Sequence, residues 1–199
     1  MKKKRLQTVD ITVGALFVVL MMIGANIAIW LPFLKVSFGG ATVPISLQTF
    51  FAILAGLVLG RKLGSFSILV YLFVGAIGIP VFAELQGGIG QFLSPTGGFL
   101  ISFPIVAWIS GWISERFGNG QFTTYLFASF GGLIINYVIG TPYLYLIINT
   151  VLESSITFSG AATMMLPFFI KDFFLTFFVA SLAKVIVHRT QNIFVTEKL

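Results

Sequence analysis

Long apolar runs constrain this chain more than any other feature of its sequence. The runs at residues 11–31, 64–79 and 99–113 contain no charged residue, and a helix of about 20 apolar residues is long enough to span a bilayer. The chain is 57% hydrophobic and 9% charged, with a mean hydropathy of +1.03, whereas soluble domains carry roughly 25% charged residues. We therefore expect an integral membrane protein without a separate soluble domain.

Prolines, glycines and charged residues divide these runs into predicted helices. Pro32 and Pro80 each follow an apolar run, and proline cannot continue a helix because it lacks the N–H and its ring clashes with the preceding turn. The sequence predicts an all-α integral membrane protein, a six-transmembrane-helix bundle forming a single transmembrane domain over residues 1–199. The predicted helices cover about residues 9–31, 47–60, 64–79, 97–116, 122–140 and 162–189.

The basic residues indicate how this bundle is oriented. Cytoplasmic loops of membrane proteins are enriched in Lys and Arg. The loops predicted on the extracytoplasmic side hold a single basic residue, Lys35, and Lys171 lies near that membrane boundary. This distribution predicts that both termini are cytoplasmic and that the protein is a multi-pass protein of the cell (plasma) membrane. It also accounts for the net charge of +6 without a nucleic-acid partner. The remaining basic positions that carry this signal are residues 2–5, Arg61, Lys62, Arg116, Arg189 and Lys198.

Residues 80–98 are unlike a helix in contact with lipid. Two prolines and several glycines interrupt the segment, and Gln86, Gln91 and Thr96 add polar groups to it. Irregular backbone persists in a membrane protein only where other protein buries it or where it lines a wet cavity. The segment is therefore predicted to form part of a cavity open to the extracytoplasmic side; the alternative is an ordinary long extracellular hairpin.

Polar residues near the predicted helix ends are the candidates for ligand contact. Asp172 lies a few residues into the last apolar segment, and an ionisable group at membrane depth usually faces a partner or a solute path. The alternative is an interfacial pair with Lys171, although side chains of adjacent helical residues need not pair. Gln48 can both donate and accept hydrogen bonds, or it faces water at a helix end. Asn136 is predicted to join helices.

Several absent motifs limit what the chain can do unaided. It has no P-loop motif for hydrolysing ATP, no HExxH motif, no cysteine and one histidine, so no metal site and no cofactor are predicted. The expected protein is not an enzyme but a membrane protein with a ligand-sized pocket and no energy source of its own. Two alternatives remain. One is a small intramembrane enzyme that uses Asp172 with Glu84 or Glu153, although these two glutamates are expected to be solvated loop charges. The other is a structural subunit without a ligand.

Ordered motifs over about residues 9–183 resemble the BioY family. The resemblance implies a six-helix substrate-binding (S) component of an energy-coupling factor (ECF) vitamin transporter that captures biotin from outside. It also implies partnership with a transmembrane coupling subunit in the lipid bilayer and with two cytoplasmic ATPase subunits, and it implies that the first helix contacts the coupling subunit through small residues. The motifs are Val43-Pro44-Ile45-Ser46-Leu47-Gln48, Leu54-Ala55-Gly56 to Leu59-Gly60, Gly78-Ile79-Pro80-Val81-Phe82-Ala83 with Gly87-Gly88, Pro95-Thr96-Gly97-Gly98-Phe99, and Pro167-Phe168 with Asp172.

The resemblance also selects the residues expected to bind the substrate. Asp172 and Gln48 are expected to make polar contacts, and Thr96 and the glycines are expected to give the substrate access to the backbone. The full predicted substrate-binding set is Gln48, Phe82, Gly88, Thr96, Gly97, Gly98, Lys171 and Asp172.

The chain departs from the BioY pattern at two positions. Ser94 stands where the family usually has Gly before Pro-Thr-Gly-Gly, and Leu175 stands where the family commonly has Lys three residues after the Asp. Lys171 is the basic residue nearest to that Asp and could substitute for the missing Lys from the other side. If the missing Lys normally holds the ligand, another carboxylated cofactor such as lipoate is the alternative substrate.

Overall fold

A computed structural model describes residues 7–31, 35–38, 41–118 and 120–190 of the chain. The described residues form five helices and one two-stranded antiparallel hairpin, in which Lys35 is opposite Pro44. Two short 3₁₀ turns, Ala83–Leu85 and Ile89–Leu93, lie between the second and third helices. The elements are α1 (Thr8–Trp30), β1 (Lys35–Phe38), β2 (Ala41–Pro44), α2 (Gln48–Ala76), α3 (Gly97–Phe117), α4 (Phe122–Thr150) and α5 (Phe158–Thr190).

The prediction of a six-helix bundle is wrong. The described residues contain five helices, of which α1 to α4 are long and apolar enough to cross a membrane. The separately predicted segments 47–60 and 64–79 belong to the single element α2, whose backbone departs from helical geometry at Gly60 (φ 79°, ψ 169°). Glycine adopts a positive φ without steric cost, so the chain bends sharply there without an intervening loop. The helical membrane fold itself agrees with the prediction.

The two arms of α2 lie against each other. A Cβ added to Gly64 would lie 2.6 Å from the carbonyl oxygen of Ala55, although a straight helix would place residues nine positions apart roughly 13 Å from one another. The missing side chain therefore allows direct backbone contact between the arms. Gly56 makes a similar approach to α3, where an added Cβ would lie 2.1 Å from the oxygen of Ala107.

Other boundaries also differ from the predicted ones. The helix predicted to end near residue 140 continues through Pro142 to Thr150, and the last helix covers Phe158–Thr190. The hairpin of β1 and β2 was not predicted. The predicted positions of both termini concern residues outside the described part of the chain.

The core of the bundle lies between α2, α3 and α4. Ile53, Ile68, Tyr71, Val106 and Tyr125 are among its fully buried side chains. Large apolar side chains also cover the outer faces of the helices, including strongly exposed phenylalanines such as Phe73, Phe127 and Phe174, as expected where a helix contacts lipid. The irregular segment 77–96 joins this core at the end of the bundle where α2 and α3 begin.

Candidate functional site

A cavity of about 220 Å³ opens at the end of the bundle where α2 and α3 begin; we call this the cavity end. Its wall combines the irregular segment after α2 with residues of four helices, so no single element forms it. The lining residues are Pro44, Ser46, Gln48, Thr49, Phe82, Ala83, Glu84, Gln86, Gln91, Ser94, Thr96, Phe99, Leu100, Phe103, Asn136, Tyr137, Met165, Phe168, Lys171 and Asp172.

An ion pair between consecutive residues of α5 is the main electrostatic feature of the cavity. Lys171 Nζ lies 2.7 Å from Asp172 Oδ1 and also donates a hydrogen bond to the Ser46 carbonyl oxygen. Asp172 is 4% exposed, and a buried charge is stable only when it is paired or hydrogen-bonded. Side chains of adjacent helical residues point in different directions and need not pair, but the long lysine side chain is flexible enough to reach the carboxylate.

The two oxygens of Asp172 have different surroundings. Oδ2 accepts a hydrogen bond of 2.8 Å from the Tyr137 hydroxyl of α4. Oδ1 is buried and has the Lys171 ammonium nearby, but it accepts no hydrogen bond of acceptable geometry from any described residue. The Lys171 ammonium compensates the charge of Oδ1, and the atom has almost no surface open to the cavity. A donor on a ligand would therefore reach Oδ1 only after Lys171 turned away from it.

Gln48 is held at the first turn of α2 by a buried chain of hydrogen bonds. Its Nε2 donates to the Tyr71 hydroxyl at 3.0 Å, and that hydroxyl donates to the Val81 carbonyl oxygen at 3.1 Å. Tyr71 lies on the second arm of α2, so the bend at Gly60 makes this contact possible. Committing Nε2 to Tyr71 leaves the Gln48 carbonyl oxygen as the acceptor of this side chain.

Asn136 joins three helices beside the cavity. Its Nδ2 donates to Thr49 Oγ1 at 3.1 Å, and its Oδ1 accepts from Ser102 Oγ at 2.7 Å. The prediction that Asn136 connects helices is confirmed by these bonds. Because Asn136 and Thr49 also line the cavity, the same network fixes part of the cavity wall.

The apolar part of the wall is built from aromatic side chains and methionine. Phe82 is buried and packs edge-on against Tyr71 and Phe92. Its ring lies in a notch at Gly75, where an added Cβ would lie 2.1 Å from the ring. Such a wall with a few convergent polar groups is typical of small-molecule sites. The other large apolar lining residues are Phe99, Phe103, Met165 and Phe168.

The structure brings part of the predicted binding set together. The members that line the cavity are Gln48, Phe82, Thr96, Lys171 and Asp172.

The three predicted glycines lie outside the cavity lining, and each has a local structural role. The Gly88 N–H donates to the Gly75 carbonyl oxygen at 2.7 Å. A Cβ on Gly97 would lie 2.1 Å from the Phe92 oxygen, and one on Gly98 would lie 2.3 Å from Tyr143 Cβ. The lack of a side chain at Gly97 and Gly98 therefore serves contacts within the protein, whereas at Gly88 it permits a positive φ of 96°.

Of the two acidic residues considered as alternatives, one lines the cavity and one does not. Glu84 is exposed, as predicted for a loop charge, yet it lines the cavity, whereas Glu153 is exposed and outside it. Among the described residues, no group of three His, Cys, Asp or Glu side chains could hold a metal ion.

Tyr137 is the most important lining residue that the sequence did not indicate. Its ring packs edge-on against Phe99 and Phe169 while its hydroxyl reaches Asp172. A tyrosine within an apolar helix is common, so nothing local distinguished it. A buried Asp172 needs a hydrogen-bond donor, and a search for that donor among neighbouring helices is the reasoning that would have pointed to Tyr137.

The family of this chain follows from comparison with known proteins. The model of the BioY family matches residues 1–192. The chain belongs to the BioY family. A protein of Pyrococcus horikoshii named "Probable biotin transporter BioY" is 48% identical over 135 residues, which cover 68% of this chain and 74% of that protein. The biotin transporter BioY of Rhodobacter capsulatus is 36% identical over 144 residues, covering 70% and 74%.

A solved structure shares the fold of this BioY chain. It is a crystal structure of the S-component for biotin from an ECF-type ABC transporter, with a TM-score of 0.69 and 22% identity. The match covers 92% of this chain and 95% of that chain. The resemblance drawn from the motifs is thus confirmed, and this BioY protein is a multi-pass protein of the cell membrane in a family of transporters rather than enzymes.

Proposed function

We propose that this BioY protein is the substrate-binding component of an ECF-type importer and that it captures biotin in the cavity described above. Relatives named as biotin transporters support this proposal. The observation that carries it is the cavity itself, which combines aromatic walls with one cation and one buried carboxylate. No bond chemistry is required, since recognition comes from burying an apolar ring system against a few placed polar groups.

The polar groups of the cavity match the chemistry of biotin. Biotin carries a carboxylate on a flexible chain and a urea group with two N–H donors. The Lys171 ammonium is the basic group of the cavity lining and suits the carboxylate. The Gln48 carbonyl oxygen is an acceptor and suits a urea N–H group, and Asp172 Oδ1 becomes a second such acceptor once Lys171 turns from it to the biotin carboxylate. The sulfur-containing ring would then lie against the aromatic walls.

The position of Leu175 bears on the departure from the family pattern. Leu175 is partly buried and packs against the hydrophobic core, and it is outside the cavity lining. Lys171, on the other side of Asp172, does line the cavity. A cation is therefore available beside the Asp172 carboxylate for a carboxylated substrate such as biotin.

The protein requires partners to move its substrate. Its sequence has no P-loop motif, so the energy must come from other chains. The family supports an assembly with a transmembrane coupling subunit and two cytoplasmic ATPase subunits, with the cavity end facing the outside.

Titration of the purified protein with biotin, lipoate and biotinamide tests the proposal. We expect tight biotin binding, no comparable lipoate binding and weaker binding of the uncharged biotinamide. In the Lys171→Ala variant, biotin affinity should fall by about tenfold or more, because a hydrogen bond to a charged group contributes about 1.5–3 kcal/mol. Biotinamide affinity should change much less.

Three outcomes distinguish the alternatives. Tight lipoate binding without biotin binding would keep the transporter fold and change the substrate. An equal loss for biotin and biotinamide in Lys171→Ala would contradict the assignment of Lys171 to the carboxylate. No binding of any of the three by folded protein would reject the proposal.

A further inference from the structure

The segment between Phe82 and Gly88 passes over the cavity between two fixed points. At one end, Phe82 is buried in the notch at Gly75. At the other end, the Gly88 N–H donates to the Gly75 carbonyl oxygen at 2.7 Å. Both anchors are on the second arm of α2, so the residues between them form a short arch, residues 83–87, whose members Ala83, Glu84 and Gln86 line the cavity.

The backbone of this arch is strained. Glu84 has φ 57° and Leu85 has φ 55°, and left-handed backbone is unfavourable for residues that carry a Cβ. Such conformations persist only where surrounding contacts hold them. The side chain of Leu85 is 51% exposed, so its packing does not explain the conformation.

A hydrogen bond from α1 holds the arch at its strained position. The Leu85 N–H donates to Asn26 Oδ1 at 2.8 Å, and Asn26 is 2% exposed. The amide of Asn26 is oriented for this contact, because its Nδ2 donates to the Met22 carbonyl oxygen one turn earlier in α1. The contact joins elements 59 residues apart in the chain.

The same part of α1 also holds the other side of the cavity. The Leu47 N–H, next to Gln48, donates to the Gly24 carbonyl oxygen at 2.8 Å. A Cβ on Gly24 would lie 2.7 Å from the Phe51 ring, so α1 and α2 are in close contact there. The end of α1 near residues 24–26 therefore contacts both the arch and the start of α2.

We propose that Asn26 is a positioning residue that keeps the arch closed over a bound ligand and so slows ligand release. It does not line the cavity and acts through Leu85 and the neighbouring lining residues. The kinetic part of this inference rests on the proposed biotin binding, whereas the structural part does not. Displacement of this end of α1 would open the arch and release the ligand.

The first test needs no ligand. Hydrogen–deuterium exchange of the arch amides is measured in the wild-type protein and in Asn26→Leu, which keeps a buried side chain of similar size. We expect faster exchange of residues 83–87 in Asn26→Leu and near wild-type exchange in Asn26→Asp, which retains the acceptor. Unchanged exchange in Asn26→Leu would overturn the proposal.

The chain offers a matched control for this variant. Asn149 of α4 makes the same pair of contacts, donating to the Tyr145 carbonyl oxygen at 2.8 Å and accepting from the Ile156 N–H at 3.0 Å. The connection it holds does not line the cavity. Asn149→Leu should therefore free its own connection without affecting the arch or the ligand.

The second test measures biotin dissociation. We expect Asn26→Leu to raise the dissociation rate by about five- to tenfold, the size of one lost hydrogen bond, while Asn149→Leu leaves it unchanged. Adding Leu85→Gly to Asn26→Leu should slow release again, because glycine tolerates positive φ. A rate equal to wild type in folded Asn26→Leu, or equally raised in both leucine variants, would overturn the proposal. If wild-type protein binds no biotin, the proposed function fails and the exchange experiment alone decides the role of Asn26.

Discussion

Two ion pairs lie at opposite ends of this molecule and use their carboxylates differently. At the bend of α2, Arg61 Nε lies 3.1 Å from Glu115 Oε2, and the Arg61 N–H donates to Glu115 Oε1 at 2.8 Å. At the cavity end, Asp172 accepts a hydrogen bond from Tyr137 on Oδ2 and leaves Oδ1 without one. Both oxygens of Glu115 are engaged by Arg61, one by its backbone N–H and one by its side chain, whereas Asp172 Oδ1 has only the ion pair with Lys171 and accepts no hydrogen bond.

This difference separates a structural carboxylate from a ligand-binding one. Glu115 accepts the Arg61 backbone N–H that the bend leaves without a helical partner, and a Cβ on Gly60 would lie 2.7 Å from Glu115 Oε1. Glu115 therefore holds the bend of α2 against α3. Asp172 is more deeply buried but less completely satisfied. A protein retains such a buried acceptor at a cost in stability, which is understandable if a ligand completes its hydrogen bonds.

Substitution of Asp172, the carboxylate of the cavity end, should have the largest effect on biotin binding. We expect Asp172→Ala to weaken biotin binding by about 100-fold, because it removes a charged acceptor and leaves Lys171 without its neighbouring anion. The protein should remain folded, since Lys171 keeps its bond to the Ser46 carbonyl oxygen. Titration of the purified variant, with its melting temperature measured in parallel, checks both parts.

Asp172→Asn is the matched control, since it preserves the volume and removes the charge. Its affinity should lie between those of wild type and Asp172→Ala. Wild-type affinity in folded Asp172→Ala would show that Oδ1 does not contact the ligand.

Substitution of Tyr137 should have an intermediate effect. Tyr137→Phe keeps the ring between Phe99 and Phe169 and deletes the hydroxyl that holds Asp172 Oδ2. We expect about tenfold weaker biotin binding, since one hydrogen bond to a charged group is lost and the carboxylate is freer to rotate. Calorimetric titration at fixed pH gives the affinity.

Tyr145→Phe serves as the control for Tyr137→Phe. Tyr145 lies on the same helix and its ring packs against Phe158, but it is outside the cavity lining. Equal affinities for the two variants would remove Tyr137 from the site.

The sequence predicted the location of the site better than its internal geometry. Apolar runs fixed the membrane helices, and the proline- and glycine-rich segment after α2 indicated the cavity, because lipid does not tolerate exposed irregular backbone. Asp172 and Gln48 stood out as polar residues at helix ends. The number of helices was wrong because the bend at Gly60 needs only one residue with positive φ.

The contacts that could not be predicted depend on side-chain direction and long-range packing. Tyr137 reaches Asp172 across 35 residues, and no spacing rule within a helix predicts that meeting. Gly97 and Gly98 were expected to approach the substrate, yet they accommodate Phe92 and Tyr143. A glycine signals a close approach but does not identify the group that approaches.

Substitution of Glu115 should have the smallest effect on binding and thereby completes the comparison. In Glu115→Gln the carboxamide oxygen can still accept from the Arg61 N–H, but the charge opposite the guanidinium is lost. The pair is partly exposed, with side chains 29% and 24% accessible, so we expect a loss of about 1 kcal/mol of stability and no change in biotin affinity. Thermal unfolding with and without biotin measures both quantities. A clear loss of affinity would mean that the bend of α2 is coupled to the cavity through the Gln48–Tyr71 contact between its arms, and the two ion pairs would then belong to one system.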